Sequence, residues 1–370
     1  MKYLNDKRIV MTLDAGGTNF VFCAIQVNDE IVDPTTIPAG TDNLNLCLEK
    51  IIDGFQNIKT KLKKNPDAIS FAFPGPANYP KGIIEKLGNL PAFNGGVALG
   101  PMLKEIFKIP VFINNDGDLY AYGEAIAGFL PYINNLLKET KSSKHFNNLL
   151  GITLGTGFGA GIVRNEKLFL GDNSASAGTW LLRNKLFPKM NVEENISIRG
   201  IQRTYSEGSK MEIANNLTPK EIYEIGIGKR KGNKKAALKS YKIFGEVVGD
   251  AMANSLALID GIAAIGGGIA KAHSLFLPEI INEMNGTFKS FNGTINPRMS
   301  VKVFNLENEK DLNKFLRGKS ANITIPKTNK HIQYDPLPRI GVGISKIGTN
   351  KAINLGAYAF ALNSLDNFER

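Results

Sequence analysis

One pattern recurs along this chain: an apolar, β-branched run that enters a glycine turn and returns as a second run. It occurs first where Arg8 to Asp14 (RIVMTLD) meets AGGTN and then Phe20 to Val27. It occurs again where Asn148 to Leu154 meets Gly155-Thr156-Gly157-Phe158-Gly159 and then Ala160 to Val163. Each copy reads as strand, tight turn, strand. Behind the first copy, Leu44 to Leu62 repeats apolar residues at helical spacing, and Ala68 to Phe73 is a strand stopped by Pro74-Gly75-Pro76. Ile109 to Asn114 is a short strand with a polar end, and Leu119 to Ala127 is helical. Behind the second copy come an alanine-rich helix over about Lys235 to Leu258, a buried strand at Asp260 to Ile265, and Gly266-Gly267-Gly268. Leu355 to Leu365 reads as a packed helix. A unit used twice predicts a duplicated α/β fold of two domains with a cleft between the halves. The expected boundary gives a smaller domain at 1–125 and a larger one at 126–354, with the C-terminal helix (about 355–370) packing on the first. Lys310 to Lys330, polar and Lys/Asn-rich, is expected to be a surface excursion.

Composition permits this without cross-links. The 370 residues suit two domains, and 43% hydrophobic with 21% charged residues is ordinary for a globular chain. Cys23 and Cys47 have no paired spacing and the three histidines are scattered, so neither a disulfide framework nor zinc is expected. No stretch reaches the roughly 20 apolar residues that span a bilayer, so a cytoplasmic protein without membrane partners is the expectation. The net charge of +11 invites a nucleic-acid reading, but the basic runs at Lys59 to Lys64 and Lys229 to Lys242 lack interleaved aromatics for base stacking. They read as solvated faces, and nucleic acid is not expected as a partner.

The chemistry lies at the turns. In Asp14-Ala15-Gly16-Gly17-Thr18-Asn19, a carboxylate ends a strand and glycines let backbone N–H groups approach an anion. Thr18 adds a hydroxyl, and Asp14 can hold magnesium through water. An ordinary hairpin explains one such turn; the second, Gly155-Thr156-Gly157, repeats the design and is harder to dismiss. It is not a P-loop, because no Gly-Lys-Ser/Thr follows, and it opens no helix as a dinucleotide fingerprint must. Gly266-Gly267-Gly268 allows close approach of a flat group such as adenine, or is simply a tight strand-to-helix connection. Asp116, in Asn114-Asn115-Asp116-Gly117-Asp118, is placed to accept a hydroxyl proton, while Asp118 is the better candidate for capping the next helix.

Taken together, six segments resemble the ROK family of sugar kinases and repressors, of the actin/hexokinase (ribonuclease H-like) fold, nearly end to end. They are LDAGGTNFVFCAI (Leu13 to Ile25), FAFPGPAN (Phe71 to Asn78), LGNLPAF (Leu87 to Phe93), NNDGDLYAYGEA (Asn114 to Ala125), GITLGTGFGAGIV (Gly151 to Val163) and LIDGIAAIGGGIA (Leu258 to Ala270). The resemblance implies ATP- and magnesium-dependent phosphorylation of a hexose or its derivative, at the 6-hydroxyl, by a homodimer. It implies Asp116 as base, Asn89 and Asn115 as sugar ligands, and Asp14 near magnesium. Gly16, Gly17, Thr18 and Asn19 would hold phosphate from one side and Gly155, Thr156 and Gly157 from the other, with Gly267 and Gly268 bordering the nucleoside.

The chain also departs from that family. Many members carry a glycine-glutamate-x-glycine-histidine stretch and a cysteine-rich zinc motif after the second phosphate loop. Here Gly178 and Leu181 stand in place of the glutamate and histidine, and the cysteines are absent. Glu193 occupies the place of a later sugar-binding glutamate, with Glu194 competing. Trp180 is either an apolar wall for a sugar or core packing. Loss of the Glu/His pair makes glucose and N-acetylated hexosamines the expected poorer substrates. It also keeps open a non-catalytic sugar or nucleotide sensor, beside a kinase of the same fold with a non-sugar acceptor. The first phosphate loop starts at Asp14, so the repressors' helix-turn-helix domain is not expected ahead of it.

Overall fold

Burial on both faces explains why the first strands are continuous apolar runs. The computed structural model describes residues 3, 5–15, 19–39, 43–87, 90–210 and 217–368. They fall into two units: 1–128 with 161–176 and 347–370, and 129–160 with 177–346. The first unit begins β1 (Val10–Ala15), β2 (Asn19–Gln26), β3 (Asp29–Glu30), β4 (Thr35–Pro38), α1 (Leu44–Lys61) and β5 (Ala68–Ala72). It continues with β6 (Ala77–Asn78), β7 (Ile83–Lys86), β8 (Asn94–Val97), α2 (Leu99–Phe107), β9 (Val111–Asn114) and α3 (Asp116–Ile126). Its main sheet runs β3-β2-β1-β5-β9, with β4 on β2 and β6–β8 forming a small separate sheet. β1 and β2 are antiparallel, whereas β1, β5 and β9 are parallel. On one face Met11 and Leu13 join an aromatic core in which Phe55 of α1 meets Phe22 at 5.1 Å, Phe71 at 5.7 Å and Phe107 at 6.0 Å.

The second unit begins with α4 (Phe129–Glu139), β10 (Leu149–Leu154) and the start of β11 (Phe158–Arg164), the strand through which the chain passes to β12 (Lys167–Phe169). Then come α5 (Ile198–Ser209), α6 (Pro219–Gly226), α7 (Lys234–Ile259), β13 (Ile262–Gly266), α8 (His273–Met284), β14 (Thr287–Lys289) and β15 (Ile295–Pro297). It ends with β16 (Lys302–Asn305), α9 (Glu309–Arg317), β17 (Ala321–Thr324), β18 (His331–Tyr334) and β19 (Arg339–Ile344). The sheet order is β12-β11-β10-β13-β19-β16. Its first five positions repeat β3-β2-β1-β5-β9, down to the parallel pairing of β10, β13 and β19. The duplication read from the glycine hairpins is therefore a duplication of topology, and the architecture is the actin/hexokinase-like one.

The chain closes with α10 (Thr349–Phe368), which covers the other face of the first sheet through Leu355, Tyr358, Ala361 and Leu362 against Val10, Ile25 and Ala68. Four expectations need correction. The helix expected from Leu119 starts at Asp116, because the polar residues there cap rather than precede it. The strand expected from Asp260 starts at Ile262, since Asp260 is the left-handed C-cap of α7. The C-terminal helix is longer than 355–365 at both ends. Lys310 to Lys330 is not all surface: Phe315 and Leu316 of α9 are buried, with Phe315 stacked on Phe146 at 5.6 Å. Two apolar residues among charged ones were too sparse a signal.

The crossing of α3 and α10 tolerates no side chain at its centre. A Cβ on Gly123 would lie 1.8 Å from the Ala352 carbonyl oxygen, and one on Gly356 would lie 1.9 Å from that of Leu119. Overpacking backbone on backbone cannot be relieved by a rotamer change. Gly123→Ala should therefore lose about 3 kcal/mol, the upper part of the usual overpacking range. An unshifted urea midpoint would refute this tight crossing.

Candidate active site

In the first unit, parallel pairing brings two carboxylates to one end of the sheet. Asp14 of β1 lies opposite Ala72 of β5, and Ala72 opposite Asn114 of β9. Two strand spacings amount to roughly 10 Å of backbone, and Asp116 follows Asn114 by two residues. This is the carboxyl end of the strands, where open α/β sheets bind ligands. Asp14 is partly buried and has no hydrogen-bond or ion-pair partner among the described residues. Its pKa is raised, mainly by burial and then by the negative charge of Asp116. Asp116 keeps a solvent-exposed side chain yet is closely surrounded by protein. That desolvation raises its pKa, against the opposing hydrogen bond in which Gly117 N–H donates to Oδ1 at 2.8 Å.

The residue that caps α3 is Asn115, not Asp118. Asn115 has extended backbone (φ −72°, ψ 147°), and its Oδ1 accepts from Gly117 N–H at 2.8 Å. Its side chain also hydrogen-bonds Tyr79, whose hydroxyl donates to the Phe73 carbonyl at 3.0 Å. An extended residue one step before the helix is the geometry a cap requires, and Asp118 is already a turn too deep. Asp118 instead points inward at 4% exposure, with Oδ1 lacking any hydrogen-bond partner. Burial, then the charge of Asp116, pushes its pKa up to about 8, so it holds a proton at neutral pH. Neither Tyr79 nor this role of Asp118 was visible in the sequence. An i, i+2 pair of aspartates at a helix start carries no sign of which one turns inward.

In the second unit the turn after β10 is fastened from three sides. Gly155 N–H donates to the Gly157 carbonyl at 3.1 Å, and the Gly155 carbonyl accepts from Ile198 N–H, at the start of α5, at 2.9 Å. Phe158 N–H donates to Glu193 Oε2 at 3.0 Å. No described group accepts from the N–H of Thr156 or Gly157, and Thr156 is exposed. A pinned turn with two unspent N–H groups suits an anion. Glu193 Oε1 lies 3.9 Å from Arg199, whereas Glu194 turns to Arg203, also at 3.9 Å. Of the two glutamates, then, Glu193 meets the glycine turn.

Gly267, after β13, has φ +88°, and a Cβ there would lie 2.3 Å from the Leu154 carbonyl oxygen. Its glycine identity is explained by the fold itself. A Cβ on Gly268 would meet nothing within 4 Å, so open space lies beside it. Asn19 is the exposed first residue of β2, paired with Pro38. Gly16, Gly17, Thr18 and Asn89 lie outside the described residues. Trp180 sits on a single 3-10 turn (Thr179–Leu181) at 42% exposure, which removes the core-packing reading. Among the described residues no group of three or more His, Cys, Asp or Glu is placed to hold a metal. Asp14 with Asp116 is a pair. The charge of Asp116 disfavours ionisation of Asp14, and with no described cation bonded to Asp14 the pair fits a divalent ion held largely by water and phosphate.

The sequence model of the ROK family matches residues 10–305. A solved structure described as glucokinase from Parabacteroides distasonis is 52% identical, covers 98% of this chain and 99% of its own, and superposes with a TM-score of 0.88. An N-acetyl-D-glucosamine kinase of Vibrio atlanticus is 25% identical over 71% of this chain and 85% of its own length. A glucokinase of Halalkalibacterium halodurans is 30% identical over 44% of this chain, an alignment that spans only 46% of that relative.

The buried proton on Asp118 has a pH signature. Its folded pKa of about 8 lies above the ordinary 3.8, so between those values the folded chain keeps a proton that the unfolded chain releases. Its contribution to stability therefore declines as pH rises through that window. Asp118→Asn should raise the melting temperature at pH about 8, with the gain shrinking toward pH about 5. Thermal melts of both proteins across that range would show it; a gain independent of pH would contradict the assignment.

Proposed function

The chain belongs to the ROK family, and from that premise we propose that it is an ATP-dependent kinase of a hexose or hexose derivative, with Asp116 as general base. The observation that carries this reading is the pair Asp14 and Asp116 at the carboxyl ends of β1 and β9, neither with a cationic partner among the described residues.

In the proposed reaction Asp116 takes the proton of the substrate hydroxyl as that oxygen bonds to the γ-phosphorus. The bond from the γ-phosphorus to the bridging oxygen breaks, and ADP leaves with the electron pair. The raised pKa of Asp116 makes it a stronger base than an ordinary carboxylate. The hydrogen bond to Gly117 N–H fixes its orientation while leaving Oδ2 for the proton. Magnesium, held by Asp14 through water, would neutralise charge on the triphosphate. Thr156 and Gly157 supply N–H donors to phosphate oxygens, and the space beside Gly268 takes the nucleoside. Gly16, Gly17, Thr18 and Asn19 complete the phosphate contacts by family resemblance. The sugar is assigned to Asn89, Glu193 and the remaining N–H of Asn115, with the 6-hydroxyl as acceptor. Because Glu193 also anchors Phe158 N–H, a sugar drawing on its carboxylate would be sensed at the phosphate turn. A cytoplasmic homodimer belongs to the same proposal.

The 52% identical relative described as a glucokinase favours glucose, against the expectation drawn from Gly178 and Leu181. Exposed Trp180 and Leu181, in the segment where the family's Glu/His pair is missing, favour the rival reading, a sensor that binds sugar without turnover. ADP release from Mg·ATP across glucose, fructose, mannose and the N-acetylhexosamines separates them. One sugar should give turnover that falls roughly 10²–10⁴-fold in Asp116→Asn, with ATP binding retained. Sugar binding by calorimetry without ADP release would instead establish the sensor. The acid limb of the rate profile should lie above the ordinary carboxylate range, since Asp116 must be ionised to act and its pKa is raised; a limb near 3.8, the value of an unperturbed aspartate, would remove Asp116 as the base.

A further inference from the structure

Two β-ribbons leave the second unit at the same end of its sheet. β14–β15 leads into β16, and β17–β18 leads into β19. β16 and β19 are parallel neighbours with Lys302 opposite Arg339, so both ribbons join at the strands' N-terminal ends. The glycine turns after β10 and β13 lie at the opposite end, since those strands run parallel to β19. Each ribbon is a two-stranded sheet of its own, and such pieces are marginal without something to pack on.

Both ribbons expose apolar groups. Phe291, in the turn between β14 and β15, is fully exposed, and Phe288 and Ile295 are more than half exposed. The second ribbon is two-faced: its register sets Ala321 opposite Tyr334 and Ile323 opposite Ile332 on one face, with Asn322, Gln333, Thr324 and His331 on the other. On the apolar face Ile323, Ile332 and Tyr334 keep 42%, 51% and 50% of their surface exposed. The ribbon segments themselves carry charge of one sign. Residues 286–306 hold Lys289, Arg298 and Lys302, residues 318–334 hold Lys319, Lys327 and Lys330, and neither segment contains an acidic residue. Arg298 is tied to Asp250 at 2.5 Å and Glu283 at 2.8 Å, which anchors the root of the first ribbon. Between the roots lies a cavity of about 770 Å³ floored by Val303 and Phe304 and lined by Lys302, Lys314, Arg317 and Lys319. Among its lining residues Asp311 is the carboxylate, and none of the four cations is ion-paired among the described residues.

A second copy of this chain is a poor occupant, because it would press acid-free, cation-bearing ribbons against their like. An anionic lipid surface is complementary on both counts. Apolar tips enter the boundary between headgroups and acyl chains, and lysines above them face phosphodiesters. We propose that these ribbons and the cavity between their roots form a docking surface for an anionic membrane, independent of the kinase reading. No helix among the described residues is long and apolar enough to cross a membrane, and peripheral docking requires none.

Co-sedimentation of the full chain with vesicles tests this. The protein should pellet with mixed phosphatidylglycerol/phosphatidylcholine vesicles, stay in solution with phosphatidylcholine alone, and be released as salt shortens the screening length. Phe291→Ser with Ile323→Ser should lower the partition coefficient roughly tenfold. Lys319→Glu with Lys327→Glu and Lys330→Glu should abolish pelleting, and ADP release in solution should stay unchanged in every variant. All five positions are exposed, so unchanged circular dichroism is expected and checks the fold. Absence of pelleting with phosphatidylglycerol, or equal pelleting of wild type and variants, would overturn the proposal. So would a concentration-dependent dimer in sedimentation velocity that Phe291→Ser dissociates, since the ribbons would then belong to a second copy.

Discussion

The parallel pairing of β1, β5 and β9 is the constraint from which the first unit's chemistry follows. Asp14 and Asp116 are about a hundred positions apart in the chain, and only the ladder between those strands brings them to one edge. The ladder holds because both of its faces are covered, one by Phe55 and its aromatic neighbours, the other by α10. α10 in turn sits close enough only because Gly123 and Gly356 let two helix backbones meet. The catalytic reading of Asp116 thus rests on packing by residues with no chemistry of their own.

Electrostatics in that unit is shaped by what is missing. Among the described residues no basic side chain pairs with Asp14, Asp116 or Asp118; desolvation raises all three pKa values, and the charge of Asp116 adds to the rise at Asp14 and Asp118. The most buried of them, Asp118, takes up a proton, which spares Asp116 a second negative neighbour two residues away. A cation placed beside the other two would lower the cost of their ionisation. Such an arrangement costs stability when empty and favours binding of the groups that relieve it.

The second unit repeats the strand order but spends its backbone differently. Its glycine turn is pinned by Ile198 and Glu193, and no described group accepts from the N–H groups of Thr156 and Gly157. At the other end of the same sheet, two ribbons without acidic residues expose aromatic and aliphatic tips. One sheet therefore presents a pinned glycine turn at the carboxyl edge of its parallel strands and a cationic, apolar surface at their amino edge.

The sequence by itself determined the duplication, the hairpins and the long helices, because strands buried on both faces and helices of many turns leave strong periodic signals. It also supplied Asp14, Asp116 and the Gly155–Gly157 turn, since a carboxylate or glycine at a strand end is a local pattern. It did not indicate that Asn115 rather than Asp118 caps α3, or that Asp118 turns inward; both depend on where the Asn114–Asp116 bend aims each side chain. Nor did it show that Glu193 rather than Glu194 meets the glycine turn, that Phe315 is buried, or that Trp180 is exposed. Those outcomes were decided by tertiary structure alone, because burial and hydrogen-bond partners come from distant segments, whereas periodicity and turn chemistry are written within a few residues.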